Sequence, residues 1–157
     1  MSGLRHVRDI FEFDKIFLYL GRFEAEKNPL FLINLWQEVE KRKLNYMLVM
    51  VGRGSQDNQI KEVIEQKQIK NILIQNWMSD PSVYTATADA LLVPSKAEGY
   101  GLVIREAFLF RTPIITHKVG IVSFELPEQE GVYIVSMDDT EEWIKALELV
   151  EPSKTKL

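Results

Sequence analysis

Ser95-Lys-Ala-Glu98-Gly-Tyr-Gly101-Leu-Val-Ile-Arg-Glu106-Ala-Phe-Leu-Phe-Arg-Thr-Pro113 sets the architecture of this 157-residue chain. An apolar run, Ala90-Leu-Leu-Val93, precedes it and predicts a short buried strand. The glycines predict a turn. Leu102, Ile104, Ala107, Phe108 and Phe110 predict a helix, which Thr112-Pro113 ends, and Ile114-Ile115 begins the next strand. The order is strand, glycine loop, helix, strand. A helix opening after Gly101 directs the free N–H groups of Leu102 and Val103 outward. Those amides and the positive end of the helix dipole favour an anion such as a phosphate. Glu98 belongs to the loop at the strand's carboxyl end, and Glu106, about a turn into the helix, can face the same crevice. Carboxylates do not bind phosphate, but they suit sugar hydroxyls on either side of it.

The same alternation runs outward in both directions. Lys15-Ile-Phe-Leu-Tyr-Leu20 reads as a first strand, followed by Gly21-Arg22-Phe23 and Glu26-Lys27-Asn28-Pro29. Asn28 is expected to cap a helix with Pro29 in its first turn. Leu32, Leu35, Trp36 and Val39 then recur at helical spacing. Tyr46-Met-Leu-Val-Met-Val51 is a second strand, Gly52-Arg53-Gly54 a turn, and Ile60, Val63 and Ile64 the inner side of a helix. A third strand, Ile72-Leu-Ile-Gln75, leads to Asn76-Trp77-Met78, a helix start at Asp80-Pro81, and a helix near residues 83–88. Val132-Tyr-Ile-Val135 is a last strand. Asp139 and Glu142 then predict a capping box before Trp143, Ile144, Leu147 and Val150. This alternation predicts an α/β fold: a Rossmann-like, three-layer α/β/α domain with a parallel sheet of about six strands. Ligands of such sheets bind outside the carboxyl ends of the strands, where the loops after the first four strands converge.

Glu98-Gly-Tyr-Gly-Leu-Val-Ile-Arg-Glu106 resembles the Glu, seven residues, Glu motif of group 1 glycosyltransferases, which have the GT-B fold. Pro94-Ser95, Glu106-Ala107 and Thr112-Pro113 match as well. Gly21-Arg22 with Glu26-Lys27 resembles the family's Gly-Arg…Glu-Lys-Gly motif, with Asn28 in place of the last glycine. The resemblance implies that Arg22 and Lys27 hold a donor's diphosphate. A planar guanidinium and a compact ammonium suit that role. It implies that Glu98 holds hydroxyls of the donor sugar and that Glu106 holds those of the ribose. Gly99, Tyr100, Gly101, Leu102 and Val103 would form the loop and amides around the phosphates, with Gly21 beside them. Gly52 and Gly54 resemble a Gly-x-Gly beside the nucleotide. Trp77 and Met78 fall in the loop that commonly contacts the base, with Asn76 where relatives often carry glycine. After Thr116 the pattern departs. Ile121 stands for the second glycine of a Gly-Gly pair and Glu125 is offset by one, so no residue there is assigned. His117 reads as a structural or exposed histidine.

The implied reaction is transfer of a glycosyl group, with retention, from a nucleoside-diphosphate sugar to a glycan, lipid or other acceptor. No cofactor or metal is expected, since the Asp-x-Asp triplet of metal-dependent glycosyltransferases is absent from the sequence. The length suits one domain, expected as a lead-in over 1–14, a donor-binding domain over 15–151 and a frayed tail over 152–157. The family has two such domains, so the acceptor site and the family's usual catalytic histidine are expected in an amino-terminal partner domain. The piece alone is then expected to bind donor and transfer sugar poorly. A net charge of −4 gives no argument for nucleic acid as partner. Zero cysteines exclude disulfides and thiolate metal sites and fit a reducing compartment. No apolar run has membrane-spanning length and no signal peptide is visible. The expected place is cytoplasmic, peripheral at the inner membrane face in the longer protein. Two alternatives stay open: a non-catalytic nucleotide-sugar-binding module acting with a partner chain, and a glycosidase using Glu98 and Glu106 as an acid–base pair. The base, the sugar and the acceptor are not readable.

Overall fold

A computed structural model of the chain describes residues 12–76, 78–98, 101–118 and 130–152. Its strands are β1 (Lys15–Leu20), β2 (Tyr46–Val51), β3 (Ile72–Gln75), β4 (Ala90–Val93), β5 (Ile114–Thr116) and β6 (Val132–Ile134). Its helices are α1 (Pro29–Lys41), α2 (Asp57–Gln66), α3 (Ser82–Thr87), α4 (Leu102–Leu109) and α5 (Thr140–Leu149), with a 3-10 turn at Ala25–Lys27. The strands form one sheet in the order β3-β2-β1-β4-β5-β6. Every pairing is parallel, with Lys15 opposite Tyr46 and Val93 opposite Thr116 fixing the register. That order is the Rossmann-like one, and it reverses direction between β1 and β4.

The sequence explains why β1 and β4 are central. Every residue of β1, β2 and β4 is buried, as continuous apolar runs require when helices cover both faces. The edge strands β3 and β6 are only part-buried. On one face α1, α2 and α5 pack Leu32, Trp36, Ile60 and Trp143 against Phe17, Leu48 and Leu92. Phe17 meets the Trp36 ring edge-on at 5.8 Å and the Tyr46 ring at 5.5 Å, geometries favoured by the aromatic quadrupole. On the other face the shorter α3 and α4 bring Tyr84, Ile104 and Ala107 onto Leu18, Val49 and Leu91.

Three local expectations are corrected. Asn28 precedes α1, but its side chain makes no capping bond. Its backbone is left-handed (φ 58°), which accounts for asparagine where glycine is usual. The capping box at α5 is half formed. Asp139 accepts from the Glu142 amide at 3.1 Å, while the Glu142 carboxylate bonds Ser136 instead of turning back to Asp139. The helix read after Gly101 forms as α4, with Ile104 and Ala107 buried and Leu102, Phe108 and, just past its end, Phe110 exposed. The last strand ends at Ile134, one residue early.

Candidate functional site

A cavity of about 310 Å³ lies at the carboxyl edge of the sheet, between the ends of β1 and β4. Tyr19 to Gly21 and Leu92 to Ser95 form its walls, and Gly101, Leu102 and Val103 open helix α4 onto it. It therefore occupies the place where the strand order reverses. Gly101 is left-handed (φ 78°, ψ 55°), a conformation that glycine adopts freely and that turns the chain into the helix. Ile104 and Arg105 donate to the Gly101 carbonyl at 3.0 and 3.1 Å. The amides of Leu102 and Val103 come before that first intrahelical bond, and both residues line the cavity.

Lys27 and Glu98 are the charged residues of the described lining, and they meet there. Lys27 Nζ donates to Glu98 Oε2 at 2.8 Å. Ser95 Oγ donates to the other carboxylate oxygen at 2.7 Å. The pair is well enclosed, with side-chain exposures of 20% and 9%. It joins residues 71 positions apart in the chain. Tyr19 closes the floor, and its hydroxyl donates to the Arg22 carbonyl at 2.5 Å. Burial first, and then the nearby charge of Glu98, push the Tyr19 phenol well above its ordinary value of 10.0.

The other expected residues have different positions. Arg22 is exposed and pairs with Glu26 at 3.1 Å, outside the cavity lining. Glu106 is half-buried on α4 and does not line the cavity. Gly52 and Gly54 are not in its lining either. They let the loop after β2 close onto the loop after β1. A Cβ on Gly52 would lie 1.8 Å from the Gly21 carbonyl oxygen. Phe23 N donates to the Arg53 carbonyl and Gln56 N to the Phe23 carbonyl, both at 2.9 Å. Met78 packs partly buried against the α3–α4 core. Gly99, Tyr100 and Trp77 lie outside the described residues, as do residues 119–129. His117 is buried, 7% exposed.

Sequence reading missed Ser95 and Tyr19 as parts of the site. Ser95 lies three residues before Glu98, and Tyr19 two residues before Gly21 at the strand's end, so local spacing was the available signal.

A parallel sheet in the order 3-2-1-4-5-6 with a helix amino terminus at its switch point defines a Rossmann-like domain. Solved glycosyltransferases share this fold. The carboxyl-terminal domain of a group 1 glycosyl transferase from Francisella tularensis superposes with TM-score 0.77 at 19% identity, covering 95% of this chain and 81% of that one. Anabaena HepE, solved in complex with UDP and glucose, gives TM-score 0.78 at 19% identity, over 93% of this chain and 41% of that one. In sequence, an uncharacterized glycosyltransferase of Haemophilus influenzae is 26% identical over 141 residues, 87% of this chain and 39% of the relative. The sequence profile of the glycosyl transferases group 1 matches residues 4–156, so the chain belongs to that family. It spans 39%, 35% and 30% of the length of three curated relatives that it matches. Among the described residues no helix is long and apolar enough to cross a membrane.

Proposed function

We propose that this domain binds the nucleoside-diphosphate sugar donor of a retaining glycosyltransferase in the cavity between β1 and β4. One observation carries the reading: the α4 amino terminus and Lys27 converge on one cavity at the switch point. The Leu102 and Val103 amides receive the diphosphate. Lys27 leaves Glu98 to pair with it and offsets the charge that grows as the sugar departs. Glu98, released from the ammonium and still held by Ser95, takes the sugar hydroxyls. Arg22, on a flexible exposed side chain, reaches the diphosphate from the rim. Glu106 takes the ribose hydroxyls, and the loop after β3 that carries Met78 contacts the base. No metal takes part, so a chelator should leave donor binding unchanged. An amino-terminal domain holds the acceptor, and this chain alone turns over little. In the longer protein that arrangement works at the cytoplasmic side, with glycan or lipid acceptors.

The hydrolytic alternative finds no support in the geometry. Glu98 is paired with the Lys27 ammonium and lies beside the amide-bearing start of α4, surroundings that suit a phosphate rather than a neutral glycoside. Calorimetric titration of this chain with UDP, GDP and ADP tests the donor reading. UDP is the first probe because HepE holds it. Selective binding of one nucleotide, weakened by Lys27→Ala and by Glu106→Gln, supports the reading. No binding to any of the three by the folded chain overturns it.

A further inference from the structure

Asn28 stands where the family pattern has glycine, and its side chain reaches across the carboxyl edge of the sheet. Its Nδ2 donates to the Pro94 carbonyl at 3.1 Å and to Asp138 Oδ1 at 3.1 Å. An amide nitrogen has two hydrogens, and both are thereby used. Pro94 follows β4, and Asp138 lies between β6 and α5. The loops after β1, β4 and β6 are thus joined at one side chain. The two residues before it continue the joint. Lys96 N donates to the Glu26 carbonyl at 2.8 Å, and Lys27 reaches Glu98. The backbone at Asn28 is fixed as well. Its N–H donates to Ala25 O at 3.1 Å, closing the 3-10 turn that carries Lys27.

We infer that Asn28 is a positioning residue: its amide holds the turn bearing Lys27 against the Pro94–Glu98 loop and so places the ammonium for a diphosphate. This rests on the donor-site reading above. Glycine at this position would adopt the left-handed backbone without strain but would leave the two loops tied only through their own residues. The side chain therefore acts on the geometry of the phosphate contact, not on the conformation of the turn.

The test compares affinity for a nucleoside diphosphate with affinity for its monophosphate, using whichever of UDP and UMP, GDP and GMP, or ADP and AMP the wild-type chain binds. A well-placed ammonium favours the diphosphate. In Asn28→Gly that preference should shrink about fivefold or more, the scale of a weakened charge-assisted contact. Val39→Ala, a cavity in the α1 core, lowers stability without touching these loops and should leave the preference at its wild-type value. Asp138→Gly should remove part of the preference, whereas Asp138→Asn keeps an acceptor oxygen and should retain it. Asp138 is itself left-handed (φ 59°), so neither substitution strains the backbone. This pair decides the matter should Asn28→Gly fail to fold. A wild-type preference preserved in Asn28→Gly or Asp138→Gly overturns the inference alone, and so does a wild type that binds the two nucleotides equally. Failure of the wild type to bind any nucleotide overturns the donor reading and the inference with it.

Discussion

Helix α4 has a cavity at each end, and the proposed donor site is the smaller. At its carboxyl end a cavity of about 680 Å³ is lined by Phe108, Leu109, Arg111, Pro113 and Val132, against about 310 Å³ at its amino end. The polarity of the helix separates them. The amino end offers free amides and the positive pole, and the carboxyl end offers carbonyls and the negative pole. The helix dipole therefore favours an anion at the first, where the donor's diphosphate is proposed to bind. The two ends also share a backbone device. Gly101 before the helix and Arg111 after it are both left-handed, at φ 78° and 57°. At the carboxyl end Thr112 N donates to Ala107 O at 2.8 Å and Arg111 N to Phe108 O at 3.0 Å, a Schellman closure. Glycine appears at the end where the proposed donor would come close to the backbone. Arginine tolerates the strained conformation where nothing needs to approach.

The strongest way to break this contrast is Lys27→Ala. It should weaken nucleotide binding by about 10- to 100-fold, since hydrogen bonds to charged groups contribute roughly 1.5–3 kcal/mol. Calorimetry measures it, and an unchanged affinity would remove the amino end from consideration. Next, Gly101→Ala should lower stability by about 1 kcal/mol through left-handed strain and add a methyl group to the cavity wall, weakening nucleotide binding as well. Urea unfolding and the same titration read both. Arg111→Gly should do the reverse at the other end, raising stability by about 0.5–1 kcal/mol without altering affinity. A smaller signature comes from Tyr19. Its folded value is raised above the unfolded 10.0, so above pH 10 the unfolded chain releases a proton that the folded chain keeps. The stability from this burial is full below pH 10 and falls as pH climbs from there toward the folded value. Tyr19→Phe should flatten that alkaline decline in thermal melts. The smallest effect should come from Leu109→Ser, at an exposed position of the larger cavity. Its affinity should stay within about twofold of wild type, as for most surface changes. A larger loss would mean that both ends of α4 contribute to one site.

Most of the fold was legible because buried parallel strands are short apolar runs bounded by turns. β1, β2, β3 and β4 have the bounds read from the chain. Helix ends were harder to read. α1, α2 and α4 close on Lys43, Gln68 and Arg111 in left-handed backbone, with no glycine to mark the stop. The exposure of Phe108 and Phe110 was also hidden, because apolar residues at helical spacing do not reveal which of them have a sheet beneath them.

The site divides along the same line. The chain by itself determined the strand–loop–helix order around Gly101 and therefore the amide-bearing helix start, since both follow from local pattern and backbone sterics. It also determined the family, through motifs whose residues are close neighbours in sequence. Only the tertiary structure decided that Lys27 meets Glu98 across 71 positions, that Asn28 joins three loops, and that Arg22 and Glu106 stand outside the cavity lining. Those contacts depend on strand order and register, which place distant loops side by side at one sheet edge, and no local spacing encodes that adjacency.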